Sequence, residues 1–159
     1  MIVYFLRHGP AGSRSEWEGA DALRPLTSDG RKTVGRAAEA LARAGVIVDA
    51  IVTSPLVRAR QTAEIAAAAL GVVADDLVDD ERLGHGFSKA ALAGIVADRP
   101  GAQVLMVVGH EPEFSATIGE LTGADVVIKK AGVARVDLDP DTMRGQLVWL
   151  LAPRILAAL

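Results

Sequence analysis

Two histidines and two arginines carry the chemistry that this sequence could perform. His8 directly follows Arg7, His110 directly follows Gly109, and Arg58 lies four residues after Ser54. A neutral imidazole nitrogen can act as a nucleophile, and guanidinium forks match the oxygens of a phosphoryl group bidentately. These types together suit a small dianion that is bound and then attacked, because phosphoryl transfer depends on positioning and charge stabilisation. Taken alone, His8 reads as well as a structural histidine, and an isolated arginine usually ends in a surface ion pair. The combination argues otherwise. Positive charge beside His8 and in the first turn of a helix is unfavourable unless an anion is present.

Those four residues need a scaffold that brings them together. Ile2 to Leu6 is an apolar, partly β-branched run ending before Gly9-Pro10, which predicts a buried strand. Asp49 to Thr53 and Val104 to Val108 predict two more strands, and each ends just before one of the candidate residues. Thr27 reads as a helix N-cap with Asp29 in the first turn, and apolar residues then recur at helical spacing until Gly45. Ser54-Pro55 predicts a helix start, with serine as the cap and proline in the first turn, running to about Leu70. Further helices are expected from Ser88 to Ala97 and from Pro112 through Leu121. Val72 to Val78 reads as a short strand or an extended connection, and Asp79 to Phe87 as a polar loop. Val133 to Leu138 and Gln146 to Leu151 predict two strands antiparallel to each other. Residues 10–25 lack any period and read as a surface loop over the site.

Strands alternating with helices predict an α/β fold, a three-layer α/β/α sandwich around a mostly parallel mixed sheet. Ligands in such sheets bind outside the carboxyl ends of the strands, and three of those ends carry Arg7-His8, Thr53-Ser54 and Gly109-His110. At 159 residues the chain is expected to form one domain, residues 1–159.

Composition narrows the function further. Seventeen Lys and Arg against twenty Asp and Glu give a formal charge of −3, so no general attraction to nucleic acid or an anionic membrane is expected. The absence of cysteine excludes a disulfide framework, a Cys-rich zinc site and a cysteine-nucleophile phosphatase. The opening apolar run is too short for a secretory segment and no stretch reaches membrane-spanning length, so the expectation is a soluble cytoplasmic protein. Zinc is not supported, since there is no HxH or HExxH spacing and two arginines would repel a cation. Neither GxxxxGK[ST] nor a GxGxxG after a strand is present.

Leu6-Arg7-His8-Gly9, followed by Arg24-Pro25-Leu26-Thr27 and Gly30, resembles the start of the histidine phosphatase superfamily. Ile51 to Ala63 (IVTSPLVRARQTA) resembles its second signature, and Val108-Gly109-His110-Glu111-Pro112 its third. The three lie in the family's order and span most of the chain, which is most similar to the bacterial phosphohistidine phosphatases of the SixA type. The resemblance implies a phosphoglycerate mutase-like fold and no metal or other cofactor. It implies that His8 is the nucleophile that becomes phosphorylated, with Arg7, Arg58 and His110 binding the phosphoryl group and stabilising its transition state.

The leaving-group acid is less well defined by the resemblance. Larger family members use a carboxylate after the second αβ unit, here Glu81 with Asp80 as neighbour, and another branch uses an acid after the second histidine, here Glu111. Both also read as ordinary surface carboxylates, and His85 as a solvated loop residue or a contact at the pocket rim. An imidazole leaving group is less basic than an alkoxide and depends less on a strong acid. By the resemblance to SixA-type proteins the expected substrate is a phosphohistidine on a protein, reached through an open pocket by a monomeric enzyme. Small phosphate esters such as sugar phosphates or nucleotides are the enzymatic alternative, and a non-catalytic phospho-recognition module is the alternative outside enzymes.

Overall fold

The computed structural model describes residues 1–159. Six strands form one sheet: β1 (Ile2–Arg7), β2 (Ala50–Thr53), β3 (Leu77–Asp79), β4 (Val104–Gly109), β5 (Val133–Asp139) and β6 (Arg144–Leu151). Their order is β3-β2-β4-β1-β5-β6. The pairs β3-β2, β2-β4 and β4-β1 are parallel, whereas β5 runs antiparallel to both β1 and β6. The helices are α1 (Ser28–Arg43), α2 (Val57–Leu70), α3 (Lys89–Ala97), α4 (Glu113–Thr122) and a short α5 (Pro153–Leu156). This is the expected mixed α/β sandwich.

The strand period of two sorts side chains between two cores. From β1, Val3 and Phe5 face α3 and α4, where Leu92, Ile95, Phe114 and Ile118 are fully buried. Tyr4 and Leu6 face the other side, against Leu41 of α1, Leu156 of α5 and the alanines Ala59, Ala63, Ala66 and Ala67 of α2. Small alanine side chains let α2 lie close to the sheet. The ring of Phe114 meets Phe5 edge-on at 5.3 Å and Phe87 at 5.4 Å, which fastens the loop after β3 to α4.

Register decides where the candidate residues fall. Arg7 of β1 pairs with Gly109 of β4, and Thr53 of β2 pairs with Val108 of β4. Three adjacent parallel strands therefore end level with one another, and Arg7-His8, Gly109-His110 and Thr53-Ser54 leave the sheet side by side.

Local structure departs from expectation in four places. Helix α2 starts at Val57 rather than at Pro55, and its N-cap Leu56 offers no side chain to the free N–H groups. Ser54 Oγ accepts instead the N–H of Leu56, one residue ahead of the helix. Residues 10–25 carry two 3₁₀ turns, Arg14–Glu16 and Asp21–Leu23. A third 3₁₀ turn, Glu81–Leu83, interrupts the expected polar loop because Leu83 is fully buried. Helix α5 closes the core beneath α1, and the sequence reading did not anticipate it.

Candidate active site

A cleft of about 320 Å³ opens at the carboxyl ends of β1, β4 and β2. Arg7, His8, Arg58 and His110 all line it, together with His85 and Glu111. Residues 10–25 contribute Gly12, Arg14, Asp21 and Arg24, and Lys130 closes one side. No hydrophobic side chain takes part. Such a surface recognises charge rather than an apolar group.

His8 is pinned on every side. Its backbone N–H donates to Gly109 O at 3.0 Å, and Ala131 N donates to His8 O at 3.1 Å. The next N–H, that of Gly9, donates to the Thr62 hydroxyl at 3.1 Å, which itself donates to Arg58 O at 2.8 Å. The ring makes one hydrogen bond, from Nδ1 to Gly9 O at 2.8 Å. A carbonyl can only accept, so Nδ1 carries the proton and Nε2 of the neutral ring keeps its lone pair. Burial, reinforced by the charges of Arg58, Arg7 and Lys130, pushes the His8 pKa down to about 4. The ring is therefore neutral at physiological pH and nucleophilic at Nε2.

His110 lies beside it, with ring centroids 5.1 Å apart. Burial first, then His8 and Arg58, pushes its pKa down to about 3. His85 stacks over the outer side of His110 at 6.0 Å and stays exposed at the rim. Its Nδ1 lies 3.9 Å from Glu113 Oε1.

The two guanidinium groups are held from behind. Arg7 donates to Ile128 O at 2.8 Å, and Ile128 N–H donates to Glu111 Oε1 at 2.9 Å. Arg58 donates from one terminal nitrogen to Asp21 O at 3.0 Å and from the other to Asp21 Oδ2 at 3.1 Å. Both Nε atoms, like His110 Nδ1, are buried without a hydrogen-bond partner in the protein. Buried polar atoms without partners are rare in folded proteins, and a bound ion is one of the things that accounts for them. Where they line the cleft, the Arg7 and Arg58 guanidinium groups make a cradle suited to a phosphoryl dianion.

The carboxylates divide clearly. Glu81 does not line the cleft: the turn anchored by buried Leu83 leaves it exposed. Asp80 is taken up by Arg82, at 2.7 Å and 2.9 Å, and by capping the Arg82 N–H. Glu111 does line the cleft, but its oxygens accept from the Ser115 hydroxyl at 2.6 Å, Ser115 N at 3.3 Å and Ile128 N at 2.9 Å. It braces the segment that holds Arg7. Sequence reasoning overlooked Asp21, which is bonded to Arg24 at 3.0 Å and to Arg58 across 37 residues. Only the three-residue spacing between Asp21 and Arg24 hinted at it.

The sequence and the fold that carries this cleft define one class of protein by comparison with known proteins. The profile of the histidine phosphatase superfamily (branch 1) matches residues 3–84. An uncharacterised protein of Picosynechococcus is 35% identical over 84% of this chain and 82% of its own length. The chain belongs to the histidine phosphatase superfamily and is a SixA-like phosphatase in fold and sequence. The phosphohistidine phosphatase SixA of Escherichia coli is 26% identical over 96% of this chain and 94% of its own. The structure of the protein histidine phosphatase SixA complexed with tungstate superposes with a TM-score of 0.88, covering 98% of this chain and 99% of that one, at 24% identity. No helix is long and apolar enough to cross a membrane.

Proposed function

We propose that residues 1–159 form one phosphatase domain that removes phosphate from histidine side chains of other proteins, without a metal, through a covalent phosphohistidine on His8. The observation that carries the reading is the hydrogen bond from His8 Nδ1 to Gly9 O, which leaves Nε2 free as a lone-pair nucleophile among Arg7, Arg58 and His110.

In the first half-reaction Nε2 of His8 attacks phosphorus in line. The bond from phosphorus to the substrate nitrogen breaks, and that imidazole leaves with its electron pair and takes up a proton from solvent water in the open cleft. One phosphorus–nitrogen bond replaces another, so little driving force is needed, and no strong acid has to stand behind the leaving group. The guanidinium groups of Arg7 and Arg58 and the ring of His110 stabilise charge on the equatorial oxygens. In the second half-reaction water attacks phosphorus, the bond to His8 breaks, and inorganic phosphate leaves. Glu81, which lies off the cleft, contributes to neither step, and this favours a phosphoramidate over an alkyl ester as substrate.

The test is rapid quenching of the enzyme with a phosphohistidine protein, alongside a panel of sugar phosphates and nucleotides. An acid-labile phosphate trapped on His8, lost in His8→Ala, with turnover of the phosphoprotein unaffected by EDTA, is the expected result. Tight binding without turnover would reduce the protein to a recognition module. Faster turnover of the small esters would replace the proposed substrate.

A further inference from the structure

Ser54 is a fully buried hydroxyl that the mechanism above does not use. Its Oγ lies 2.8 Å from His110 Nε2 and accepts the Leu56 N–H at 3.3 Å. We infer that Ser54 is a positioning residue that fixes His110 as the tautomer protonated on Nδ1. For a neutral ring the tautomer follows from hydrogen-bond counting; its use in catalysis rests on the phosphatase reading.

A hydroxyl has one proton to give, and His110 Nε2 is its one acceptor within hydrogen-bond distance. If Nε2 carried a proton, it would point at Oγ, and the hydroxyl proton would be stranded in a site closed to water. His110 Nδ1 would then be a second unsatisfied atom. If Oγ–H donates to Nε2 instead, one group remains without a partner: the Nδ1–H, on a ring that lines the cleft. Each stranded buried group carries a desolvation cost, so the second arrangement wins. Because burial keeps the ring neutral, the choice between the two nitrogens matters.

The consequence is a division of labour between two rings in the same tautomer. His8 spends its Nδ1–H on Gly9 O and offers a lone pair, whereas His110 spends its lone pair on Ser54 and keeps an N–H for a phosphoryl oxygen. The other tautomer would set a lone pair against a dianion.

The experiment is nitrogen-15 NMR of the imidazole rings in the free enzyme, combined with steady-state kinetics. In the wild type, His110 should show a protonated Nδ1 and an unprotonated Nε2. Ser54→Ala should move the tautomer ratio toward Nε2–H by about tenfold, the weight of one neutral hydrogen bond. From a wild-type ratio of about ten to one, that shift leaves about half of the rings as Nδ1–H, so kcat should fall about twofold with KM little changed. Ser54→Thr, which keeps the hydroxyl, should restore both. A protonated Nε2 in the wild type would overturn the inference, as would an unchanged tautomer in a folded Ser54→Ala. If Ser54→Ala does not fold, the wild type and Ser54→Thr still decide, since both must show Nδ1–H. The expected tautomer in an enzyme that turns over no phosphorylated substrate would sink the phosphatase reading and leave Ser54's role standing.

Discussion

Asp21 grips Arg58 twice, through its backbone carbonyl at 3.0 Å and its carboxylate at 3.1 Å. The pairing ties the segment before α1 to the first turn of α2. Burial works against a charged Asp21, but the hydrogen bond from Arg24 and the charges of Arg58, Arg24 and Arg14 hold its carboxyl below the usual carboxylate range. Asp21 therefore stays ionised at physiological pH and fixes the direction of the Arg58 fork.

Removing that carboxylate should separate binding from turnover. Asp21→Asn keeps the carbonyl contact but removes a negative charge from a cleft that takes a dianion. Inhibition by inorganic phosphate should tighten severalfold, while kcat falls about tenfold as the Arg58 fork loses its fixed partner. Unchanged kcat alongside unchanged phosphate inhibition would mean that Asp21 is only a loop fastener.

The two candidate acids should behave unlike acids, and unlike each other. Glu81→Gln should leave phosphohistidine turnover within about twofold, because that side chain lies outside the cleft. Glu111→Gln should retain most activity, since an amide oxygen can still accept from Ile128 N and the Ser115 hydroxyl. Glu111→Ala strands the Ile128 N–H and loosens the carbonyl that holds Arg7, so kcat/KM should drop by ten- to a hundredfold. Glu111→Gln as inactive as Glu111→Ala would restore Glu111 as a proton donor.

Much of this site was legible in the chain because it rests on local rules. Apolar runs closed by glycine placed Arg7-His8 and Gly109-His110 at strand ends, and the parallel register then set them side by side. What escaped depends on contacts across long separations. Asp21 lies in a stretch without periodicity and acquires its role only from Arg58, 37 residues away. Ser54-Pro55 has the local form of a helix cap, yet a partner 56 residues away takes the hydroxyl and the helix begins later. The exposure of Glu81 was equally hidden, since it depends on Leu83 finding the core.

Acid should weaken the fold in a window set by the two buried histidines. Their pKa values, about 4 for His8 and about 3 for His110, lie below the 6.5 of an exposed histidine. Between 6.5 and 4 the unfolded chain takes up protons that the folded chain refuses, so stability falls as pH drops and is flat above. His8 alone contributes a loss on the order of 3 kcal/mol by pH 4. The depressed carboxylates Asp21 and Asp80 act below that window, where their unfolded counterparts protonate first. Thermal unfolding from pH 8 to 4.5 should show Tm level to about 6.5 and then falling, with a shallower fall in His8→Asn. A Tm constant from pH 7 to 5 would show that these rings are not held neutral.

Two glycines on α1 should respond to alanine with opposite signs. A Cβ on Gly30 would fall 2.0 Å from Pro10 O and 2.9 Å from Pro10 C, which are backbone atoms with no rotamer to adjust. The same Pro10 oxygen accepts the Thr27 N–H at 3.0 Å. Gly30→Ala must therefore displace the segment directly after Gly9, whose carbonyl holds the His8 ring. Overpacking of this kind costs about 1–3 kcal/mol, or roughly 3–10 °C in Tm for a chain of this size. Turnover should fall with it, because His8 loses its fixed tautomer. At Gly35 a Cβ would meet nothing within 4 Å, so Gly35→Ala should gain helix propensity of about 1 kcal/mol and raise Tm without touching kcat. If Gly30→Ala unfolds at the wild-type temperature with full activity, the close approach of α1 to the nucleophile's loop is wrong, and the local account of how His8 is held fails with it.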